Sequence, residues 1–396
     1  MFIGNFKFLE LLLISSTASI LASPLLYPKS SSEQVIYVSA NDATDNYIVA
    51  LEVSHSNGML SSPVRTRTGG KGEVDLVAIS QDSVTVSGDL LFVVNPGSNT
   101  LSMFTINPAD PLHPILVGTP ASTLGNRPVS VAYSPQLEMA CVANGGLISG
   151  VACFSVDRHR GLKAAGPLRL IPQTEVTDPT APPPGPLVLA SDIVFNPSSS
   201  AVFVAVRSNG GQPGLLYAWP IIHGEVSLTP VTSPVPTLSL LFSFRFIDSD
   251  SKLLATNPHQ NSPGLALLDV SRDLKVAQET SITLPEQVAS CWVALAPQFD
   301  TAFIIDAGSS NISAVNPKTG ALKDTFHSNA AGGEDSLVHG NWLYYLTVAN
   351  FTVPQILVFD IQNVNEGKLP QVQSFDLSAA LGANRYWQGL SFYPSA

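Results

Sequence analysis

The stretch Pro128-Val129-Ser130-Val131-Ala132-Tyr133-Ser134-Pro135, followed by Met139-Ala140-Cys141-Val142-Ala143-Asn144 and Val151-Ala152-Cys153-Phe154-Ser155-Val156-Asp157, decides the fold. Three short apolar runs rich in Val, Ala and aromatics are separated by a Pro-marked turn and a Gly-rich loop, the pattern of consecutive antiparallel strands. We name them a, b and c; a weaker, more polar strand d is expected near Pro167 to Ile171. The apolar residues run on rather than alternate, so both faces of each strand are expected to be buried.

The same order recurs. Asp192-Ile193-Val194-Phe195-Asn196-Pro197 precedes Val202 to Val206 and Leu215 to Trp219; Phe244 to Ile247 precedes Leu253 to Asn257 and Leu265 to Leu268. Trp292 to Pro297 leads to Ala302 to Asp306 and Ile312 to Val315; Val84 to Val86 leads to Leu91 to Asn95 and Leu101 to Phe104. Ser336 to Val338 leads to Leu343 to Leu346 and Ile356 to Phe359. A period of roughly 45 to 60 residues is that of four-stranded propeller blades. The two ends complete the count. Val35 to Val38 and Tyr47 to Leu51 read as b and c without an a, and Gly389-Leu390-Ser391-Phe392-Tyr393-Pro394 reads as an a without a partner. The prediction is an all-β, seven-bladed propeller over 23–396 in which the last strand completes the first blade and removes the free edges. A double β-sandwich leaves that displaced strand unexplained. Thr174 to Pro186, with its proline run, reads as an exposed excursion between the third and fourth blades.

Composition agrees. Hydrophobic residues make up 45% of the 396-residue chain and charged residues 12%, with 31 Pro and 28 Gly; that charged share is about half the usual one. A net charge of −11 and the lack of any basic block argue against nucleic acid as a partner. Lys7, the apolar Leu11 to Leu21 and Ala22 have the form of a signal peptide over 1–22, so a secreted, extracellular protein is expected; an N-terminal anchor or a buried helix is the alternative. No later stretch is long and apolar enough to span a membrane. The triplets Asn311-Ile312-Ser313 and Asn350-Phe351-Thr352 are glycosylation acceptors on paper. Cys141 and Cys153 fall at matched heights on neighbouring strands, where a disulfide and two buried thiols are both open; Cys291 reads as a core thiol.

In its blade cadence the chain resembles the seven-bladed lactonase family, the propellers related to 6-phosphogluconolactonase and the fungal carboxymuconate cyclases, as a secreted fungal-type member. The resemblance rests on Ser134-Pro135 or Asn196-Pro197 after strand a, the Val142-Ala143-Asn144 end of strand b, and Ala152 to Val156 after a short loop. It implies a lactone hydrolase or cycloisomerase acting on a small anionic lactone or carboxylate at the channel mouth. Active members place His and Arg at the start of strand a, where this chain has Pro128-Val129-Ser130-Val131 and Ala190-Ser191-Asp192-Ile193. That departure keeps a second reading open: a non-catalytic binding propeller for a glycan, a lipid head group or a protein.

In a propeller the connections into strand a and the b–c loops share one mouth, and the chemistry-bearing residues gather there. Glu334 and His259 are the candidate acid and base. Arg207 is the candidate anion holder, its planar fork suited to a carboxylate. Arg127, Asp192, Arg245, Asp335, Arg385 and Trp387 are candidate substrate contacts, Trp387 with Tyr386 as a stacking face. Arg245, inside a strand a, reads equally as a plug paired to a channel carboxylate. Asn95, Asn144, Asp306 and Glu334 are hard oxygen donors, but no spacing marks a metal motif, and neither metal nor cofactor is expected. The plainer readings are that loop charges are solvated and strand-end Asn residues form turns. A monomer with a small anionic or other extracellular ligand is expected.

Overall fold

A computed structural model describes Met1 and residues 33–73, 80–171, 190–208, 212–348, 353–381 and 386–394. The signal segment, the proline-rich excursion, the acceptor Asn350 and Arg385 lie outside the described residues.

Seven antiparallel sheets follow one another in the strand order foreseen. Their innermost strands are Gln388–Tyr393 (blade 1), Val84–Ser87 (blade 2), Pro128–Ser134 (blade 3), Ala190–Phe195 (blade 4), Phe244–Phe246 (blade 5), Ser290–Ala296 (blade 6) and Gly333–His339 (blade 7). The ring closes as the sequence implies: Gln388–Tyr393 pairs antiparallel with Gln34–Ser39, Val35 opposite Tyr393 and Val38 opposite Leu390. Gly389, at φ +73°, makes the bulge that admits this strand, and a Cβ there would strike Ser83 Oγ and Val84. In blade 3 the outer strand is split into Gly161–Ala164 and Arg169–Leu170, both on strand c, rather than one run near Pro167 to Ile171.

Each of the seven blade interfaces holds its own apolar cluster. Ile36, Tyr344 and Phe392 join blades 7 and 1; Tyr37, Val93 and Phe104 join 1 and 2; Phe92, Val142 and Phe154 join 2 and 3; Ile193, Val204 and Trp219 pack with Cys141 and Val151 between 3 and 4. Phe203 meets Leu253 between 4 and 5, Leu254 meets Val293 between 5 and 6, and Phe303 meets Tyr345 between 6 and 7. Strand b is buried along its whole length in blades 2, 3, 4 and 6 because a neighbour covers each face. The rim strands alternate, as in Leu60–Arg67.

Two polar devices supplement the apolar clusters. Cys141 and Cys153 stand directly opposite, Cα atoms 4.1 Å apart, and are joined by a disulfide. Arg169, 4% exposed, crosses from blade 3 to blade 4. Its Nη2 donates to Val226 O at 2.8 Å, its Nε to Val226 O and Ser227 O at 3.2 and 3.1 Å, and its Nη1 to Pro167 O at 3.2 Å. Its charge is thus solvated by carbonyls, with no carboxylate partner among the described residues. Asn311, an expected glycan acceptor, is only 8% exposed in strand Asn311–Val315; its Nδ2 donates to Glu286 O and its Oδ1 meets His327 Nδ1 at 2.7 Å. The Nδ2 to which a sugar would attach is thus engaged within the fold.

Converting both Cys141 and Cys153 to Ala is expected to lower stability by about 3 kcal/mol, the chain-entropy figure for so short a loop. Guanidinium unfolding checks this as a fall in midpoint with little change in slope. Arg169→Met, which strands several carbonyls, is expected to cost at least as much, about 3 kcal/mol.

Candidate functional site

The inner strand of a blade pairs on one side only, and its other edge faces the channel, where its N–H groups need acceptors. Side chains supply several of them. Ser130 Oγ accepts Ile193 N–H at 3.2 Å, Asp192 Oδ2 accepts Phe244 N–H at 3.0 Å, Asp335 Oδ2 accepts Leu390 N–H at 2.8 Å, and Ser391 Oγ accepts Val86 N–H at 2.8 Å. Asp192 and Asp335, candidate substrate contacts by sequence, are therefore committed to joining blades 4 to 5 and 7 to 1.

Across the channel runs a strap of chain, Ser80-Gln81-Asp82, from the connection between blades 1 and 2. Gln81 N–H donates to Ser191 O at 3.2 Å, its Oε1 accepts Val293 N–H at 3.2 Å, and its Nε2 donates to Asp335 Oδ1 at 2.8 Å. Ser80 O accepts Trp292 Nε1–H at 3.2 Å, Ser80 Oγ donates to Val129 O, and Asp82 O accepts Val131 N–H at 2.8 Å. Arg245 then pairs with Asp82 at 2.8 Å and Asp192 at 3.1 Å. The strap thus touches blades 3, 4, 6 and 7 directly and blade 5 through Arg245. Arg245 is the plug that the sequence allowed, with two carboxylate partners.

Burial lifts Asp192 to about 7; Arg245 opposes this and Asp82 adds to it. Asp82 is raised by burial against the pull of Arg245, and Asp335 by burial and Asp82, with Ser336 N–H, Leu390 N–H and Arg245 working the other way.

Beside the strap, a second group gathers from blades 4 to 7. In blades 2, 3, 5 and 6, strand b ends in Asn95, Asn144, Asn257 and Asp306, each braced to the connection arriving from the previous blade. Asn95 Oδ1 accepts Thr68 Oγ1–H at 2.7 Å, Asn144 Nδ2 donates to Thr123 O at 3.1 Å, Asn257 Nδ2 to Thr237 O at 3.3 Å, and Asp306 accepts Val288 and Ala289 N–H at 2.7 and 2.8 Å. These residues are clamps, which accounts for Asn95, Asn144 and Asp306 without a metal. Blade 4 breaks the pattern: Val206 holds the clamp position and Arg207 follows it. The Arg207 guanidinium lies over the Phe242 ring, Cζ 5.2 Å from the centroid. Its Nε and Nη2 are buried with no hydrogen-bond partner among the described residues. Burial lowers it to about 10, so it stays charged at neutral pH.

Cys291 lies within electrostatic reach of Arg207, Glu334 and Asp306; burial keeps its thiol protonated, with Arg207 opposing and the two acids adding. Glu334 occupies the bulge between Gly333 and Asp335, where a Cβ on Gly333 would strike Ile305 and Tyr345. It is 6% exposed and makes no side-chain hydrogen bond to a described residue, and burial, then Asp335, raise its carboxyl well above the usual range. The buried Tyr345 phenol is raised by burial, Asp306 and Glu334. The Cys291 thiol is thus the common neighbour of a cation, Arg207, which covers the Phe242 ring, and of an acid, Glu334.

The remaining candidates fall elsewhere. His259 Nδ1 accepts Asn261 N–H at 3.3 Å inside its own turn and bonds neither Arg207 nor Glu334. Arg127 pairs with Glu73 at 2.7 Å in a separate cleft of about 270 Å³ lined by Asn99, Asn126 and Leu147. Trp387, 1% exposed, packs with Leu346, Ile356 and Leu377 between blades 7 and 1, so it offers no stacking face. Sequence reasoning missed Phe242, the strap and the site role open to Cys291. The break in the clamp repeat at Val206-Arg207 was the readable signal for the cluster.

Since Asp192 holds its proton to about 7 when folded but only to about 4 when unfolded, its contribution is full below about 4 and is lost as pH rises through 7. Wild type is expected to melt at a higher temperature at pH 6 than at pH 8, a difference that Asp192→Asn reduces; calorimetry at the two pH values checks it.

No family model matches the chain, and no curated protein is similar to it in sequence. Solved structures are similar in fold. A provisionally assigned 6-phosphogluconolactonase of Bacteroides fragilis superposes with a TM-score of 0.69 at 13% identity, over 92% of this chain and 99% of its own. The periplasmic gluconolactonase PpgL of Pseudomonas aeruginosa gives 0.66 at 15% identity, over 91% and 98%. A provisionally assigned 6-phosphogluconolactonase of Bacteroides uniformis gives 0.63 at 16%, over 90% and 99%. The chain is therefore a seven-bladed propeller with the fold of 6-phosphogluconolactonase-type proteins.

Proposed function

We propose that this propeller takes a small anionic lactone or carboxylate at the channel mouth between blades 4 and 7, and that it works outside the cell or in another oxidising compartment. The observation that carries the reading is Arg207, whose buried Nε and Nη2 have no hydrogen-bond partner among the described residues and so call for an acceptor. A carboxylate fits the planar fork. Glu334, whose carboxyl burial and Asp335 raise well above the usual range, makes no side-chain hydrogen bond to a described residue, so in its protonated form it is a donor for a lactone carbonyl or the second carboxylate oxygen; where water attacks the carbonyl carbon and the ring C–O bond breaks, it delivers that proton to the leaving ring oxygen. Phe242 supplies the apolar backing. The gluconolactonase names of the fold neighbours support a lactone, and the Cys141–Cys153 disulfide supports the compartment. Among the described residues no helix is long and apolar enough to cross a membrane.

A non-catalytic binding propeller is the second reading. It is favoured by His259 being turned into its own loop, which leaves the site without an imidazole base among its described members.

Calorimetric titration with a panel of lactones, carboxymuconates and simple carboxylates, alongside proton-release assays, tests both. Arg207→Ala is expected to weaken binding roughly 10- to 100-fold, the worth of hydrogen bonds to a charged group. Glu334→Gln is expected to keep most binding and lose turnover. Wild-type binding without turnover selects the second reading; no binding across the panel overturns the assignment.

A further inference from the structure

Gln81 meets the three inner strands that carry or neighbour the site. Its backbone N–H holds Ser191 O in blade 4, its Oε1 holds Val293 N–H two residues from Cys291, and its Nε2 holds Asp335, the neighbour of Glu334. Gln81 is 2% exposed and Ser80 is fully buried. None of these contacts belongs to a blade's own ladder, since the strand pairs of blades 4, 6 and 7 are complete without them. A buried amide using both its donor and its acceptor between two blades restricts where those strands can sit.

We propose that Gln81 is a positioning residue for the mouth site: by clamping Asp335 and Val293 from the centre of the channel, it fixes the Glu334 bulge and the spacing between Glu334 and Cys291. This goes beyond the ligand reading above but rests on the same site. The charges that face this group are few and identifiable. Asp82 lies on the strap, Asp192 on blade 4, Arg245 on blade 5, and Asp335 on blade 7, while Arg207, Asp306 and Glu334 act on the Cys291 thiol. Asp335 acts directly on Glu334 through its charge. A donor removed from Asp335 therefore changes what Glu334 feels, even with every blade intact.

The first readout needs no ligand. The infrared carbonyl band of a protonated buried carboxyl, assigned to Glu334 by its loss in Glu334→Gln, is followed against pH in the full-length protein. Two variants are compared with wild type. Gln81→Met keeps the volume and removes both hydrogen bonds. Gln81→Glu keeps an acceptor for Val293 and sets a second carboxylate against Asp335. We expect the Glu334 band to move in frequency and in titration midpoint in both variants, with the far-ultraviolet spectrum of the blades unchanged. In Gln81→Glu the wild-type band should return as acid protonates the new side chain. A Glu334 band unchanged in both folded variants would overturn the proposal. Should Gln81→Met fail to fold, Gln81→Glu, compared with itself at acid and neutral pH, decides alone. Where a ligand has been found, its affinity is expected to follow the same variants. If none binds wild type, the ligand reading fails while the infrared result still stands.

Discussion

Seven strands that have a neighbour on one side only are the constraint around which this molecule is organised. A β-strand facing a channel has N–H and C=O groups on its inner edge as surely as on its outer one, and buried groups of that kind must be satisfied. Here Ser130, Asp192, Asp335, Ser391 and the Gln81 amide do so, each spanning from one element to the next. The inner ring is in effect a second, side-chain-built ladder at right angles to the blades. Introducing carboxylates into so enclosed a space in turn calls for a cation, and Arg245 sits where two of them converge. The acids nearest the axis are consequently structural, and chemistry is left to the residues that this ladder does not use.

That division explains what could and could not be read from the chain. Apolar runs and turn residues report the blades, because strand burial on two faces leaves a continuous signature in residues such as Leu91 to Val94 or Ala201 to Val206. The displaced strand Gln388–Tyr393 was legible for the same reason. Ser80-Gln81-Asp82 carries no such signature: it is a short polar segment whose partners lie on five blades, 3 to 7, a purely tertiary arrangement. Trp387 was legible as an aromatic near the mouth but not as core, since a single large residue beside a strand start looks alike in both cases. Asp192 and Asp335 were legible as mouth carboxylates, yet only the geometry shows their lone pairs taken up by neighbouring N–H groups.

The candidate site emerges by subtraction. Where most blades end strand b with an Asn or Asp that ties back to the incoming connection, blade 4 has an apolar residue followed by an arginine. Releasing a position from a structural duty is how a repeat protein makes one of its copies different, and here the residue after the released position is a buried cation with donors that no described residue uses. Glu334 likewise makes no side-chain hydrogen bond to a described residue, whereas its sequence neighbour Asp335 is saturated. Adjacent carboxyls in one bulge thus have opposite jobs, set by how many donors each can reach.

The pairing of Val35 with Tyr393 also has a consequence for how the protein is made. Blade 1 receives strands from both ends of the propeller, so strand Gln34–Ser39 stays a bare edge throughout synthesis, until almost the entire chain has emerged. Six blades can assemble in order as they appear, each on the one before, but the ring has no mechanical closure until that final strand docks. Through this interval the exposed edge and the open faces of blades 1 and 7 are surfaces to which another unfinished chain could add. Once docked, the same strand works in reverse: withdrawing it would return Gln34–Ser39 to a bare edge and leave blade 1 without its innermost strand.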